Sequence, residues 1–417
     1  MHTLHKMAFG SAALAAIFAL SGCGGSGSMS GDVAGSQAVS NKGPVASATI
    51  QADGVMGLNG DSSIFVPSTT SLRLEGFAHT NHLIKLGGSG VNPAAFNGYA
   101  PADIRAAYGV PSSGGSGTIV IVDAYNDPYA LADFNYFSAQ YGLPQETSTS
   151  VTASTNKVFQ VVYASGRRPS NNSGWSQEAD LDIEWAHAMA PSAKIVLVEA
   201  SSASTTALYN ADNVAATIAG VHQCSNSWGG GEYSTEASSD GTFNHTGVVY
   251  FFSSGDTGGA QQYPSASVNV VAVGGTSLTM SGGVRTNETA WNGAGCGPSA
   301  YEPRPSFQSG ISGIVGSHRG IADVSAVADP NTGVLVRWNG GWYIFGGTSV
   351  ACPIIAGITN MAGTNRSGGP AQNAQFYANL GSANFYDVTS GTAGSYSAAV
   401  GWDWPTGVGS PNGLGGF

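Results

Sequence analysis

Charge is scarce in this chain. Of 417 residues only 9% are Asp, Glu, Lys or Arg, and 14 basic against 25 acidic residues leave a formal net charge of -11. No basic stripe gathers anywhere, which excludes an electrostatic nucleic-acid interface. Few ion pairs exist to be lost on acidification, a composition compatible with work in acid. Cysteine is scarce too, at four residues: Cys23, Cys224, Cys296 and Cys352. With Cys23 committed to a lipid, at most one disulfide can form. Cys224, beside an expected strand, and Cys352, in an expected helix, also read as small buried apolar residues. No apolar run is long enough to span a bilayer as a helix. Glycine, at 61 residues, is abundant and marks a turn-rich globular chain.

The N-terminus reads as an export signal: His5 and Lys6 precede an apolar stretch over 12–20 that is too short for a transmembrane span. Leu20-Ser21-Gly22-Cys23, followed by Gly24-Gly25-Ser26-Gly27-Ser28, looks like a bacterial lipobox. It implies removal of residues 1–22 and a lipid on Cys23, the chain's one expected membrane attachment, and so an extracytoplasmic, envelope-anchored or secreted protein. Residues 23–48 have the composition of a flexible tether. Residues 49–97 carry short apolar groups between polar turns and form a short N-terminal segment or a reduced prosegment.

From Tyr99 onward β-branched runs at 118–122, 158–162, 195–198, 248–252 and 268–273 alternate with helix-like stretches, including 130–141, 176–189 and 207–219. That alternation predicts an α/β fold over 98–417, with a mostly parallel central sheet and helices on both faces. Active sites in such sheets gather at the carboxyl ends of strands.

Gly346-Gly347-Thr348-Ser349-Val350-Ala351-Cys352-Pro353, followed by an apolar run, reads as a tight turn feeding a buried helix. Taken alone it is also an ordinary helix cap. As a site, it offers a nucleophilic Ser349 at a helix N-terminus whose free N–H groups suit a developing oxyanion. Pro353 is expected in the first turn, where a missing donor costs little. A serine needs a base. In Gln177-Glu178-Ala179-Asp180-Leu181-Asp182-Ile183-Glu184-Trp185, helical spacing puts Glu178 and Asp182 on one face and Asp180 and Glu184 on the opposite one. Spacing alone reads this as a solvated acidic helix. If buried beside Ser349, one pair could share a proton and act as a carboxylate base in acid. Asp256, in Ser253-Ser254-Gly255-Asp256-Thr257-Gly258 after a strand, is a turn cap or, as a neutral acid, a hydrogen-bond donor. None of the eight histidines sits in a His-Gly-Thr setting, and His187 reads as a packing or surface residue.

In sequence order, Glu178-x-x-x-Asp182, Ala190-Pro191-x-Ala193-x-Ile195, Ser225-x-Ser227-Trp228-Gly229, Ser253-Ser254-Gly255-Asp256-x-Gly258, Ala272-Val273-Gly274-Gly275-Thr276, Pro303-x-Pro305-Ser306-x-Gln308, Asp323-Val324-Ser325-Ala326 and Gly347-Thr348-Ser349 resemble the sedolisin (serine-carboxyl peptidase) family. Its members are relatives of subtilisin in which a Glu/Asp pair replaces the histidine. The resemblance runs from about Tyr99 to the C-terminus. It implies a subtilisin-like three-layer fold and an acid-acting endopeptidase that works as a monomer on proteins or peptides. Carried over, Ser349 is the nucleophile, Glu178 the general base and then acid, and Asp182 its proton-sharing partner. Asp256 and the Ser349 N–H are the oxyanion donors, with Asp123 and Trp228 as candidate extensions of the proton network. One structural Ca²⁺ is implied, held by the side chains of Asp387 and Asp403 and the carbonyls of Val388, Ala399 and Gly401. Ala399 stands where the family usually has glycine. The motif-like Tyr99-Ala100-Pro101-Ala102-Asp103-Ile104-Arg105 suggests self-processing near 97–102. The rival functional reading is an inactive surface lipoprotein that retains the fold. An α/β-hydrolase esterase is disfavoured, because Gly347-Thr348-Ser349-Val350-Ala351 lacks the second glycine of a nucleophile elbow.

Overall fold

The structure, a computed structural model, describes residues 54–58, 61–71 and 73–417. The expected signal peptide, Cys23 and the tether lie outside the described residues. Ser47–Phe417 is one compact unit.

In chain order the strands that build its sheets are β1 (Gly54–Leu58), β2 (Asp61–Pro67), β3 (His79–Thr80), β4 (Leu83–Gly90), β5 (Thr118–Ala124), β6 (Phe159–Tyr163), β7 (Lys194–Ala200), β8 (Val221–Asn226), β9 (Trp228–Gly229), β10 (Val249–Ser253), β11 (Val270–Ser281), β12 (Val284–Ala290), β13 (Gly297–Pro303), β14 (His318–Ile321), β15 (Val324–Val327), β16 (Val334–Trp338) and β17 (Gly341–Gly346). The α-helices are α1 (Ser68–Ser71), α2 (Pro101–Tyr108), α3 (Ala130–Tyr141), α4 (Ser173–Met189), α5 (Thr205–Ala215), α6 (Ser312–Val315), α7 (Thr348–Ala362) and α8 (Gly369–Ala378).

The central sheet has the order β12-β11-β10-β8-β5-β7-β6, with β15 also paired to β11. All of these pairings are parallel except β11 with β12. β5 is apolar from Ile119 to Val122 because both its faces are covered. Ile119 and Ile121 pack with Phe134 of α3 and Ala179, Ile183 and Ala186 of α4. Val120 and Val122 point the other way, into a cluster with Leu208 and Ala211 of α5. Strand alternation therefore builds three layers, with helices on both sides of the sheet.

Two elements differ from the sequence reading. β8 went unseen because Val-His-Gln-Cys-Ser-Asn lacks the apolar signature, yet it lies between β5 and β10. Its polar residues are matched instead: Gln223 accepts from Asn360 Nδ2 at 2.7 Å, and Ser225 Oγ meets Cys352 Sγ at 3.3 Å. β11 extends beyond 273 to Ser281, where it leaves the parallel core and pairs with β12 as a more exposed hairpin.

Residues 54–97 are not a separate body. β1, β2 and β4 form an antiparallel sheet with β17 and β16, in the order β1-β2-β4-β17-β16. Ile84 faces Phe345 and Leu83 faces Gly346. The apolar groups of this stretch found no periodicity in sequence because their partners lie near the far end of the chain.

α4 and α7 meet at backbone distance. A Cβ on Gly357 would stand 2.7 Å from Met189 Cβ and 3.0 Å from the Ala186 carbonyl oxygen, so glycine lets the two helices touch. Pro353 lies in the second turn of α7 rather than the first, since the helix opens at Thr348. Its missing N–H leaves the Ser349 carbonyl without its helical partner, and Ser227 Oγ approaches that oxygen at 3.4 Å. Cys224, Cys296 and Cys352 are all buried free thiols. Gly357→Val should force α4 and α7 apart and destabilise the fold by about 1 to 3 kcal/mol, read as a lower midpoint of urea unfolding.

Candidate active site

α4 begins where the Asn172 side chain accepts the Trp175 N–H at 3.1 Å, and from Gly174 onward every residue of it is buried. The four acids are therefore all taken out of water, against the solvated helix that spacing alone suggested. Glu178 Oε2 accepts the Asn81 N–H at 3.1 Å and faces His82 Nδ1 at 2.8 Å. Asp182 Oδ1 accepts from Ser227 Oγ at 2.8 Å. Glu178 Oε1, Asp182 Oδ2 and both oxygens of Asp123 have no donor. A buried carboxylate without donors is costly, and a retained proton removes that cost. Burial pushes Glu178 well above the usual carboxylate range, although the nearby Ser349 hydroxyl and the Asn81 N–H pull it down. Asp182 is raised by burial and by the Glu178 charge, and Asp123 by burial and then by Asp182 and Glu178.

Ser349 sits in the first turn of α7, after Gly347 with φ of 100°. Its N–H donates to the Asn81 carbonyl at 3.0 Å, and its Oγ donates to the Ser227 carbonyl at 3.2 Å. Asp256, just past β10, accepts on Oδ1 from the Thr348 N–H at 2.8 Å and the Thr348 hydroxyl at 2.9 Å. That hydroxyl in turn accepts from the Gly255 N–H at 3.0 Å, so its proton is committed to Asp256. A proton carried by Asp256 must then sit on Oδ2, which is buried and unpartnered. A Cβ on Gly347 would collide with both Asp256 Oδ2 and the Asn81 carbonyl oxygen. Those two oxygens thus flank the same glycine, and no L side chain fits there. Burial raises Asp256 to about 7, against the pull of the Thr348 bonds, with the Glu178 charge adding to the rise.

The structure brings Glu178, Asp182, Asp256 and Ser349 to one place at the carboxyl ends of β8 and β10. Sequence reasoning missed His82 in this setting. Its Nδ1 meets Glu178 and its Nε2 meets Gln177 Oε1 at 3.2 Å, while the ring stacks on Phe345 at 5.6 Å. Both ring nitrogens are taken, so neither is left to accept the Ser349 proton. Burial lowers its pKa to about 4, leaving it neutral above that pH. Nothing in the spacing of residues 78–82 marks them as neighbours of Ser349. Trp228 is spent elsewhere, its indole donating to the Val122 carbonyl at 2.9 Å. His187 is a buried packing residue, bonded to the Pro144 carbonyl at 2.9 Å and set against Phe134. On the other face of α4, Asp180 stands against Asp127, and burial raises both.

At the C-terminal loop Asp387 accepts the Gly401 N–H at 3.1 Å, and Asp403 accepts the Ala399 N–H at 2.9 Å. Burial lifts Asp403 to about 6, with the Asp387 charge a smaller contribution. Gly401 has a φ of 84°. Ala399 is not among the positive-φ residues, so glycine is not required there. Among the described residues no group of three or more His, Cys, Asp or Glu side chains is arranged for a metal. A cation here would depend on two carboxylates and the carbonyls of Val388, Ala399 and Gly401, a hard-oxygen set that suits Ca²⁺.

Residues 169–375 match the subtilase family (peptidase S8). Kumamolisin of Bacillus sp. strain MN-32 is 32% identical over 77% of this chain and 63% of that protein. Sedolisin of Pseudomonas sp. strain 101 is 31% identical over 75% of this chain and 60% of that protein. The chain thus spans less than two thirds of the length of these curated relatives. Among solved structures, Pseudomonas sedolisin, a serine-carboxyl proteinase complexed with two molecules of pseudo-iodotyrostatin, superposes with a TM-score of 0.65 at 29% identity, covering 76% of this chain and 95% of that one. With this sheet order, these motifs and these relatives, the chain belongs to the sedolisin (serine-carboxyl peptidase) family and has its subtilisin-like fold.

Proposed function

We propose that this chain is an acid-acting serine-carboxyl endopeptidase that hydrolyses peptide bonds through an acyl-enzyme on Ser349. The observation that carries this reading is one peptide carbonyl, that of Asn81, which accepts the Ser349 N–H at 3.0 Å and lies beside Asp256 Oδ2, with the buried Glu178 carboxyl behind it.

Ser349 Oγ attacks the substrate carbonyl carbon as Glu178 takes its proton. Asp182 shares the proton of Glu178, so the pair carries one negative charge where two would repel in a dry site. The developing oxyanion receives the Ser349 N–H and the Oδ2–H of neutral Asp256. Glu178 then returns its proton to the leaving amine, and water completes the cycle by hydrolysing the ester. Substrates are proteins or peptides. A signal peptide over 1–22, a lipid on Cys23 and a tether over 23–48 would hold the peptidase body outside the cytoplasm.

A single Ca²⁺ between Asp387 and Asp403 belongs to the same reading. The Asp387 charge adds to the rise of Asp403, and a cation bound between them would offset it. Its role is to fix the loop, and no catalytic step passes through it.

Ser349→Ala should lower hydrolysis of a denatured protein at pH 4 by more than about a thousandfold, measured as new peptide termini against the parent chain. Asp256 donates only while protonated, so kcat/KM should fall as pH rises through about 7. Asp256→Asn, which keeps a donor, should flatten that limb, whereas Asp256→Ala should cost about a hundred- to a thousandfold in kcat. Excess chelator should lower the thermal midpoint, and Asp387→Asn with Asp403→Asn should abolish that response.

A further inference from the structure

The cleft already holds a peptide, and it is part of this chain. β3 pairs antiparallel with β9, His79 facing Gly229 and Thr80 facing Trp228. The ladder continues one residue further, where the Asn81 N–H donates to the Ser227 carbonyl at 3.1 Å. On its other side the segment is held by the Ala78 N–H donating to the Ala203 carbonyl at 2.8 Å and by a bridge from Phe77 to Ser204. The segment is thus an extended peptide held by backbone hydrogen bonds on both sides, the way a bound peptide is read. Its register brings one carbonyl, that of Asn81, to the Ser349 N–H and to the Asp256 Oδ2 side of Gly347. The Ser227 carbonyl that receives the Asn81 N–H also receives the Ser349 hydroxyl, so nucleophile and peptide share one anchor. The residue after that carbonyl, His82, contacts Glu178, the group that would protonate a departing amine.

The Asn81 side chain is read as well. Its Nδ2 donates to Ser253 Oγ at 2.8 Å and to Gln262 Oε1 at 3.0 Å, and Gln262 Nε2 returns a bond to Asn81 Oδ1 at 3.4 Å. Gln262 is 5% exposed. Its amide lies where side chains on Gly229 or Gly255 would otherwise stand, since a Cβ on either would collide with it. Two glycines therefore make room for one buried amide facing another. A leucine in place of Asn81 would leave Gln262 and Ser253 unpaired.

Building on the peptidase reading of Ser349, we infer that the chain is its own first substrate at the Asn81–His82 bond, and that Gln262 and Ser253 form a pocket selecting asparagine before the cleaved bond. In this step Ser349 Oγ bonds to the Asn81 carbonyl carbon as its proton passes to Glu178. The bond from that carbon to the His82 nitrogen breaks as Glu178 returns the proton to the nitrogen. Water then hydrolyses the ester, leaving an Asn81 carboxyl and a restored Ser349 hydroxyl. The two pieces stay together, because β2 remains paired to β4 on the far side of the cut. Residues 97–102, where the sequence suggested processing, are tied instead to β16, with Tyr99 N–H bonded to the Gly333 carbonyl and the Leu335 N–H to the Tyr99 carbonyl, each at 2.9 Å.

The test is N-terminal sequencing and intact mass of the full chain after incubation at pH 4, alongside digestion of an added denatured protein. A new terminus at His82, absent in Ser349→Ala and formed at least about tenfold more slowly in Asn81→Leu, is the expected result. Parent protein that digests the added substrate but keeps the Asn81–His82 bond, or cuts itself elsewhere, overturns the inference and leaves the peptidase reading intact. Parent protein that digests nothing overturns the peptidase reading itself. For the pocket, two peptides differing only in Asn or Leu before the cleaved bond should differ in kcat/KM by at least about tenfold in favour of Asn. Gln262→Leu should bring that ratio to one or below. A ratio is insensitive to the fraction of variant that folds, so a preference that survives the substitution overturns the role of Gln262.

Discussion

The site depends on carboxyl groups being held where water cannot reach them. α4 carries four acids, and the packing of α3, α7, β5 and β16 around it buries all four. With only 14 basic residues in the chain, few cations are at hand to neutralise buried acids. Those that serve do so away from Ser349: Arg319 on Asp323, Arg285 on Glu288 and Arg337 on Asp133. Around Ser349 the neutralising species is the proton. An acid kept neutral can donate a hydrogen bond, and in the proposed mechanism that converts Asp256 from a group that would repel an oxyanion into one that binds it.

Geometry reaches the same place from the backbone. Gly357 lets α7 approach α4, which brings the start of α7 to the Glu178 face. Gly347 then leaves room for the Asn81 carbonyl oxygen and for Asp256 Oδ2 at the start of α7. Pro353, by freeing the Ser349 carbonyl, gives the Ser227 hydroxyl a second acceptor beside Asp182. Each device is small, and together they bring Ser349, Glu178, Asp182 and Asp256 to one place, the arrangement on which the proposed mechanism rests.

Much of this was legible in sequence. The β-branched runs located four central strands to within a few residues and the start of a fifth, β11, because a buried parallel strand needs continuous apolar side chains. The span 130–141 coincides with α3. Ser349, Glu178, Asp182 and Asp256 could be singled out because eight short motifs in one order resemble the sedolisin family; taken alone, the serine reads as a helix cap and the acids as a solvated helix. What stayed hidden was long-range. β8 is a polar strand whose partners are side chains of α7, and β4 is apolar only against β17. His82 and Asn81 meet Glu178 across nearly a hundred residues of chain, and no local spacing encodes such an encounter.

The proton-holding interior also sets how the molecule should come apart. Burial raises Asp127 and Asp256 to about 7 and Glu199 to about 8, and holds Asp180, Asp182 and Glu178 well above the usual carboxylate range. The native state therefore keeps protons that the unfolded chain would release near pH 4. Stability drawn from these groups is whole in acid and drains as pH climbs through about 7 to 8. Many globular proteins are undone by acid; this one should instead be undone by alkali, from the centre outward.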